Sequence, residues 1–172
     1  MNNLAACLRG SGYQRVRAAV AISLCCIGIA CREAAPNPSA ETSRAIGGQQ
    51  PLTSFRQILT SSRTDLTLRR AQDTHVPVKI ENPGAETWES AGRYPVDISY
   101  KWYKDGQMMS IEGERTLLPS PIGPNQTVDA QVHVIAPPDP GKYALRLTLV
   151  QEAVAWFMIK SNTFLELPVT IQ

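Results

Sequence analysis

The residues able to do chemistry in this chain are few and scattered. Its two histidines, His75 and His133, lie far apart in sequence. Neither has a Cys, His or carboxylate at the short spacing that a local metal-binding motif uses. His133 alternates with Val132 and Val134, which predicts a solvent-facing ring and no metal site. Glu112 and Glu114 stand two apart on a presumed strand and share a face, a spacing compatible with paired acid and base work. A solvated strand edge is the commoner use of such a pair. There is no Gly-x-Ser-x-Gly elbow, and Gly47-Gly48 opens no helix that could cradle a phosphate. The four cysteines, Cys7, Cys25, Cys26 and Cys31, all precede Arg32, so the rest of the chain has neither a thiol nucleophile nor a disulfide framework. The expectation is a non-enzymatic protein with no catalytic residue, no metal and no cofactor.

Aromatic side chains are the remaining candidates. Trp102 is in phase with Val96, Ile98 and Tyr100, which predicts a central core residue. Trp88 lies in a loop between Gly84 and Pro95, beside Glu86, Glu89 and Arg93. There it could stack on a sugar or anchor a protein, or fold back to cap the edge of the domain. Trp156 and Phe157 are successive, so in a strand they face opposite ways. With Val154 and Met158 they are expected to form an apolar contact patch. Trp88, Trp156 and Phe157 are thus the candidate partner-binding residues. Glu152, at a turn after Leu149-Val150, is expected to accept backbone hydrogen bonds.

Charge and targeting signals come next. The 17 basic and 15 acidic residues give a formal charge of +2, but Arg9, Arg15 and Arg17 precede an apolar run, Ala18 to Ala30. Without those three the balance is slightly acidic, and a polyanion would find no clustered positive surface. Nucleic acid is excluded as a partner on that ground. The apolar run is too short to span a bilayer and reads, with its basic flank, as a signal peptide over residues 1–30. Gly28-Ile29-Ala30-Cys31 resembles the lipobox of bacterial lipoproteins, in which the cysteine carries the lipid; the usual Leu is Gly28 here. The same small residues suit ordinary cleavage, leaving Cys31 unmodified and the protein freely secreted. Lipidation of Cys31 would tie the chain to the membrane with several acyl chains. Residues 31–54, rich in Ala, Pro, Ser, Gly and Gln, are expected to be a flexible tether. Arg32 is not the aspartate associated with inner-membrane retention, which points to the outer membrane.

Residues 55–172 must supply the folded domain. Val76, Val78 and Ile80 alternate with polar or proline positions, as do Val96 to Trp102, Val128 to Val134, Tyr143 to Leu149 and Leu165 to Ile171. A period of two places one side of each strand in a core and the other in water. Asn82-Pro83-Gly84, Lys104-Asp105-Gly106 and Pro137-Pro138-Asp139-Pro140-Gly141 supply turns between them. The pattern predicts an all-β, Ig-like antiparallel sandwich of about seven strands, starting near Gln57 or Leu66 and ending at Ile171.

The order of Asn82, Trp88, Trp102, Arg115 with Leu118-Pro119, Pro137, Gly141 with Tyr143, and Glu152 with Trp156-Phe157 also resembles a recurrent bacterial Ig-like module. That module is appended to glycosyltransferases and methyltransferases of polysaccharide synthesis. It is similar in pattern to the four-tryptophan (FW) domain of the autophagy receptor neighbour of BRCA1. The likeness covers Val76 to Ile171 and implies binding or scaffolding rather than catalysis. It departs from the pattern at Ala153, where the family has Gly, and in lacking an attached enzyme domain. The combined expectation is an envelope lipoprotein that binds a protein or glycan partner. The alternatives are a structural subunit docking by its sheet edge and a freely secreted binding protein.

Overall fold

The computed structural model describes residues 49–172. Cys31, the signal segment and most of the expected tether lie outside the described residues. The strands are β1 (Ile58–Thr60), β2 (Leu66–Leu68), β3 (Asp73–Glu81), β4 (Val96–Lys104), β5 (Gln107–Glu112), β6 (Thr116–Leu117), β7 (Thr127–Ile135), β8 (Gly141–Gln151), β9 (Ala155–Trp156) and β10 (Leu165–Ile171). A five-residue helix, α1 (Phe157–Ser161), separates the last two. Among the described residues no helix is long and apolar enough to cross a membrane.

Two sheets form. The small one runs β1-β3-β7; the large one runs β2-β10-β8-β4-β5, with β6 also on β4 and β9 also on β8. The five long alternating segments predicted from sequence are β3, β4, β7, β8 and β10. The short strands were not individually legible, because two or three residues cannot display a period. The antiparallel expectation has one exception: β2 joins β10 in parallel, Val169 facing Leu66.

The inner faces of the sheets carry Val76, Val78, Ile80, Val132, Val134, Ile98, Trp102, Leu145, Leu147 and Val169, all buried. Trp102 lies at the centre, as its phase requires. Its indole N–H donates to the Ile135 carbonyl at 3.1 Å, while the Tyr100 hydroxyl accepts from the Ile135 N–H at 3.0 Å. One β7 residue is thus held by two β4 side chains, pinning sheet to sheet. Asp105 and Gly106 both have positive φ, 50° and 76°, as a two-residue hairpin matched to strand twist demands.

The chain before β1 departs from expectation. Residues 49–54, assigned by sequence to the tether, are bound to the sandwich. The Gln49 side chain accepts from Arg93 and Tyr94 N–H and donates to the Tyr94 carbonyl. Gln151 Oε1 accepts from Leu52 N–H. Glu86 accepts from the backbone of Thr53 and Ser54 and from the Thr53 hydroxyl, at 3.1–3.2 Å. These mostly polar residues look like linker in sequence, since their hydrogen-bond partners are 32 to 99 positions away, although Leu52 packs against the core. Gln57 extends the strap into the core. It is buried and fills the edge of β8 between its β9 and β10 pairings, accepting from Leu149 N–H and donating to Thr148 Oγ1. A β8 donor that would otherwise be orphaned is satisfied in this way.

Candidate functional site

The candidate aromatics separate into an inside and an outside set. Trp88 is 1% exposed. Its backbone forms an isolated bridge with Ile122, and its ring meets Phe157 edge-on with centroids 5.5 Å apart. The loop is closed by Asn82, fully buried, whose amide donates to the Glu86 and Ile122 carbonyls while its Oδ1 accepts from Gly84 N–H. Trp88 therefore caps the core, and a surface platform at this position is ruled out by its burial. Phe157 is equally buried, packed edge-on by Phe55 at 5.2 Å. It is not a strand neighbour of Trp156: β9 ends at Trp156 and α1 begins at Phe157. The change of backbone, not strand alternation, sends the two rings apart. Met158 is buried as well, so of the expected patch only Val154 and Trp156 stay partly exposed.

Trp156 is half-buried on the outer face of the large sheet. The register places Leu117 of β6, Asp97 of β4, Val150 of β8 and Trp156 of β9 in one cross-strand row. Lys101 Nζ lies 4.3 Å from the Trp156 ring centroid and the Arg115 guanidinium 4.7 Å from it. Arg115 is in turn fixed. Its Nε donates to Glu152 at 2.6 Å, one terminal nitrogen donates to Ser99 Oγ and the Gly113 carbonyl, and the other reaches Glu112 at 3.4 Å. Glu152 thus binds a guanidinium, not the backbone donors expected of it. The carboxylate that does capture backbone N–H groups is Glu86, which the sequence does not single out. Glu112 serves Arg115 and Lys101, while Glu114 is exposed beyond the end of β5, so the two are no catalytic pair.

Gly113 permits this arrangement. A Cβ there would lie 2.3 Å from the Tyr100 carbonyl oxygen. Under the same surface sits Asp97, 4% exposed, with Oδ1 lacking a hydrogen-bond partner among the described residues. Burial pushes its carboxyl pKa up, Glu152 adds to the rise and Arg115 opposes it. Further along the face, Arg146, directly opposite Lys101, lies 4.0 Å from the Tyr103 ring and 4.4 Å from that of Phe164, and donates to Glu166 at 2.6 Å. The outer face is therefore a mosaic of cations on aromatic rings, each held by a carboxylate. Such a surface can recognise a partner, and it aligns no nucleophile with a base.

Arg115 here meets two landmarks from much later in the chain, Glu152 and Trp156. Two others, Asn82 and Trp88, meet at the core cap, and Trp102 with Tyr143 stack edge-on at 6.0 Å. No family model matches the chain, and no curated protein matches it. Solved structures do resemble it. One is the CARDB domain of the PF1109 protein from Pyrococcus furiosus, in complex with di-metal ions: 13% identity over 67% of this chain and 92% of that one, TM-score 0.39. Another is a Niemann-Pick type C2 protein from the Japanese carpenter ant, at 11% identity over 68% and 89%, TM-score 0.42. The sporulation control protein Spo0M of Bacillus subtilis is similar at 11% identity over 68% and 49%, TM-score 0.42. At these identities the likeness is one of fold alone.

Proposed function

We propose that this chain is a non-enzymatic lipoprotein of the bacterial envelope, exported by residues 1–30 and anchored through lipid on Cys31. Its β-sandwich binds a protein partner through the outer face of the large sheet. The observation that carries this reading is the Trp156 surface: a half-buried indole under Lys101 and Arg115, in one row with Leu117, which is 69% exposed. Trp and Arg are the residue types that most often dominate protein interfaces, and an apolar centre with a charged rim is their usual setting. A glycan is the weaker choice. Sugar stacking needs an accessible aromatic face, whereas Trp88 is buried and the Trp156 ring already carries two cations. Docking by a sheet edge has its own support: among the described residues β5 pairs with β4 alone, and Met108 on it is 55% exposed.

The test is affinity capture of the full chain from detergent-solubilised membranes, with mass spectrometry of its mature N-terminus. Acyl mass on Cys31 and a stoichiometric protein that is lost at least tenfold with Trp156→Ala or Leu117→Asp support the proposal. An unmodified Cys31 removes the anchor. Undiminished capture by both variants, combined with loss in Ser110→Pro on β5, moves the interface to the edge.

A further inference from the structure

The outer face of the small sheet carries a constellation that the sandwich function leaves unused. Alternation along β3 places Asp73 and His75 on the side away from buried Val76 and Val78, and along β7 it places His133 on the same outer side. The ladder sets His75 directly across from His133. Their rings stack with centroids 5.3 Å apart and planes 29° from parallel. Asp73 Oδ1 lies 2.8 Å from His133 Nε2. His75 is exposed, and the side chains of Asp73 and His133 are 66% and 32% exposed, so an ion can reach them. Two histidines 58 positions apart in the chain, with no ligand spacing between them, have become cross-strand neighbours.

We infer that His75 and His133 form an open, two-imidazole site for a divalent late transition-metal ion, with Asp73 as its positioning residue. Directly opposed residues of an antiparallel pair have Cβ atoms about 5 Å apart. Imidazole nitrogens bind zinc at about 2.0–2.1 Å, so two on one ion stand roughly 3–3.5 Å from each other. A turn of the His75 ring about its side-chain torsions, with His133 kept on its Asp73 hydrogen bond, is the movement that would bring one nitrogen of each ring to that separation. The hydrogen bond to Asp73 supplies the second requirement. A His133 that donates from Nε2 carries its lone pair on Nδ1, and a carboxylate on the far nitrogen of a ligating histidine fixes the tautomer and raises ligand basicity. Among the described residues no three His, Cys, Asp or Glu side chains are grouped so as to hold a metal ion together. The arrangement is instead a two-ligand chelate with water completing the coordination shell. Imidazole donors select zinc, copper or nickel over magnesium or calcium.

Zinc binding to the untagged full chain in detergent, its cysteines alkylated so that thiols do not compete, tests the inference by calorimetry. One Zn2+ per chain is expected, with affinity falling at least tenfold in either His75→Ala or His133→Ala. Asp73→Asn should weaken binding about tenfold while keeping the stoichiometry. Cu2+ on the same protein should show two imidazole nitrogens in its electron paramagnetic resonance spectrum. All three side chains lie outside the core, so the variants should keep the wild-type urea midpoint without metal. Absence of a stoichiometric Zn2+ site in the wild type overturns the inference, as does binding that survives in the double histidine variant. A single-nitrogen copper spectrum would also overturn it.

Discussion

Trp88 and Trp156 are indoles of the same chemistry put to opposite uses. Trp88 sits among Ile122, Phe157 and the Asn82-closed loop, where every neighbour is apolar or internally hydrogen-bonded. Trp156 sits on the open side of the same domain, its ring engaged by Lys101 and Arg115. Only one chain position separates Trp156 from buried Phe157, yet the end of β9 and the start of α1 divide the surface from the core. What an aromatic does here is set by what closes over it, and residue type alone says little about that.

The sharpest way to break the contrast is to truncate both rings. Trp88→Ala should cost about 3–5 kcal/mol, as for other buried tryptophans, read as a fall in urea midpoint. Trp156→Ala should cost only about 1 kcal/mol, the scale of an exposed cation–π contact, while abolishing partner capture. Equal losses of stability would erase the distinction. Next in size, Gly113→Ala should destabilise by about 2 kcal/mol or more, since its Cβ meets the Tyr100 backbone and a packed neighbour has to move. It should also displace Arg115, detectable as a changed Trp156 fluorescence.

Asp97 gives a pH signature to the same face. Its folded pKa lies above the ordinary value of 3.8, so the proton is held more tightly in the folded protein. The stability that this contributes is full below the unfolded pKa and is lost as pH rises through the folded one. Asp97→Asn removes the titration. At neutral pH the variant should be more stable, because no ionised carboxylate is then left desolvated under the sheet. The difference should close in urea titrations near pH 3; a gap independent of pH would refute the assignment. The smallest effect belongs to Ala153, with φ 60° in the turn between β8 and β9. Left-handed backbone disfavours a Cβ, so Ala153→Gly should stabilise by about 0.5–1 kcal/mol in the same measurement.

Legibility in the sequence followed the range of the forces involved. Trp102 was readable because its neighbours at 96, 98 and 100 fix its phase locally. The Arg115–Glu152–Trp156 cluster was visible only as separate landmarks, because 37 positions separate Arg115 from Glu152. Glu86 carried no signal at all: a loop glutamate looks solvated until Thr53 and Ser54 present their N–H groups to it. Residues 49–54 resembled a tether for the same reason, being a mostly polar segment whose partners lie elsewhere in the chain.

By itself, then, the sequence determined the strand periodicity, the turns, the β-sandwich class and the inward phase of its long strands. All of these arise from steric and hydrophobic preferences that act within a few residues. Tertiary structure alone decided that Trp88 is core and Trp156 surface, that a carboxylate is buried at Asp97, and that His75 faces His133. Each of those depends on register between strands distant in sequence, and register is a property of the assembled sheets.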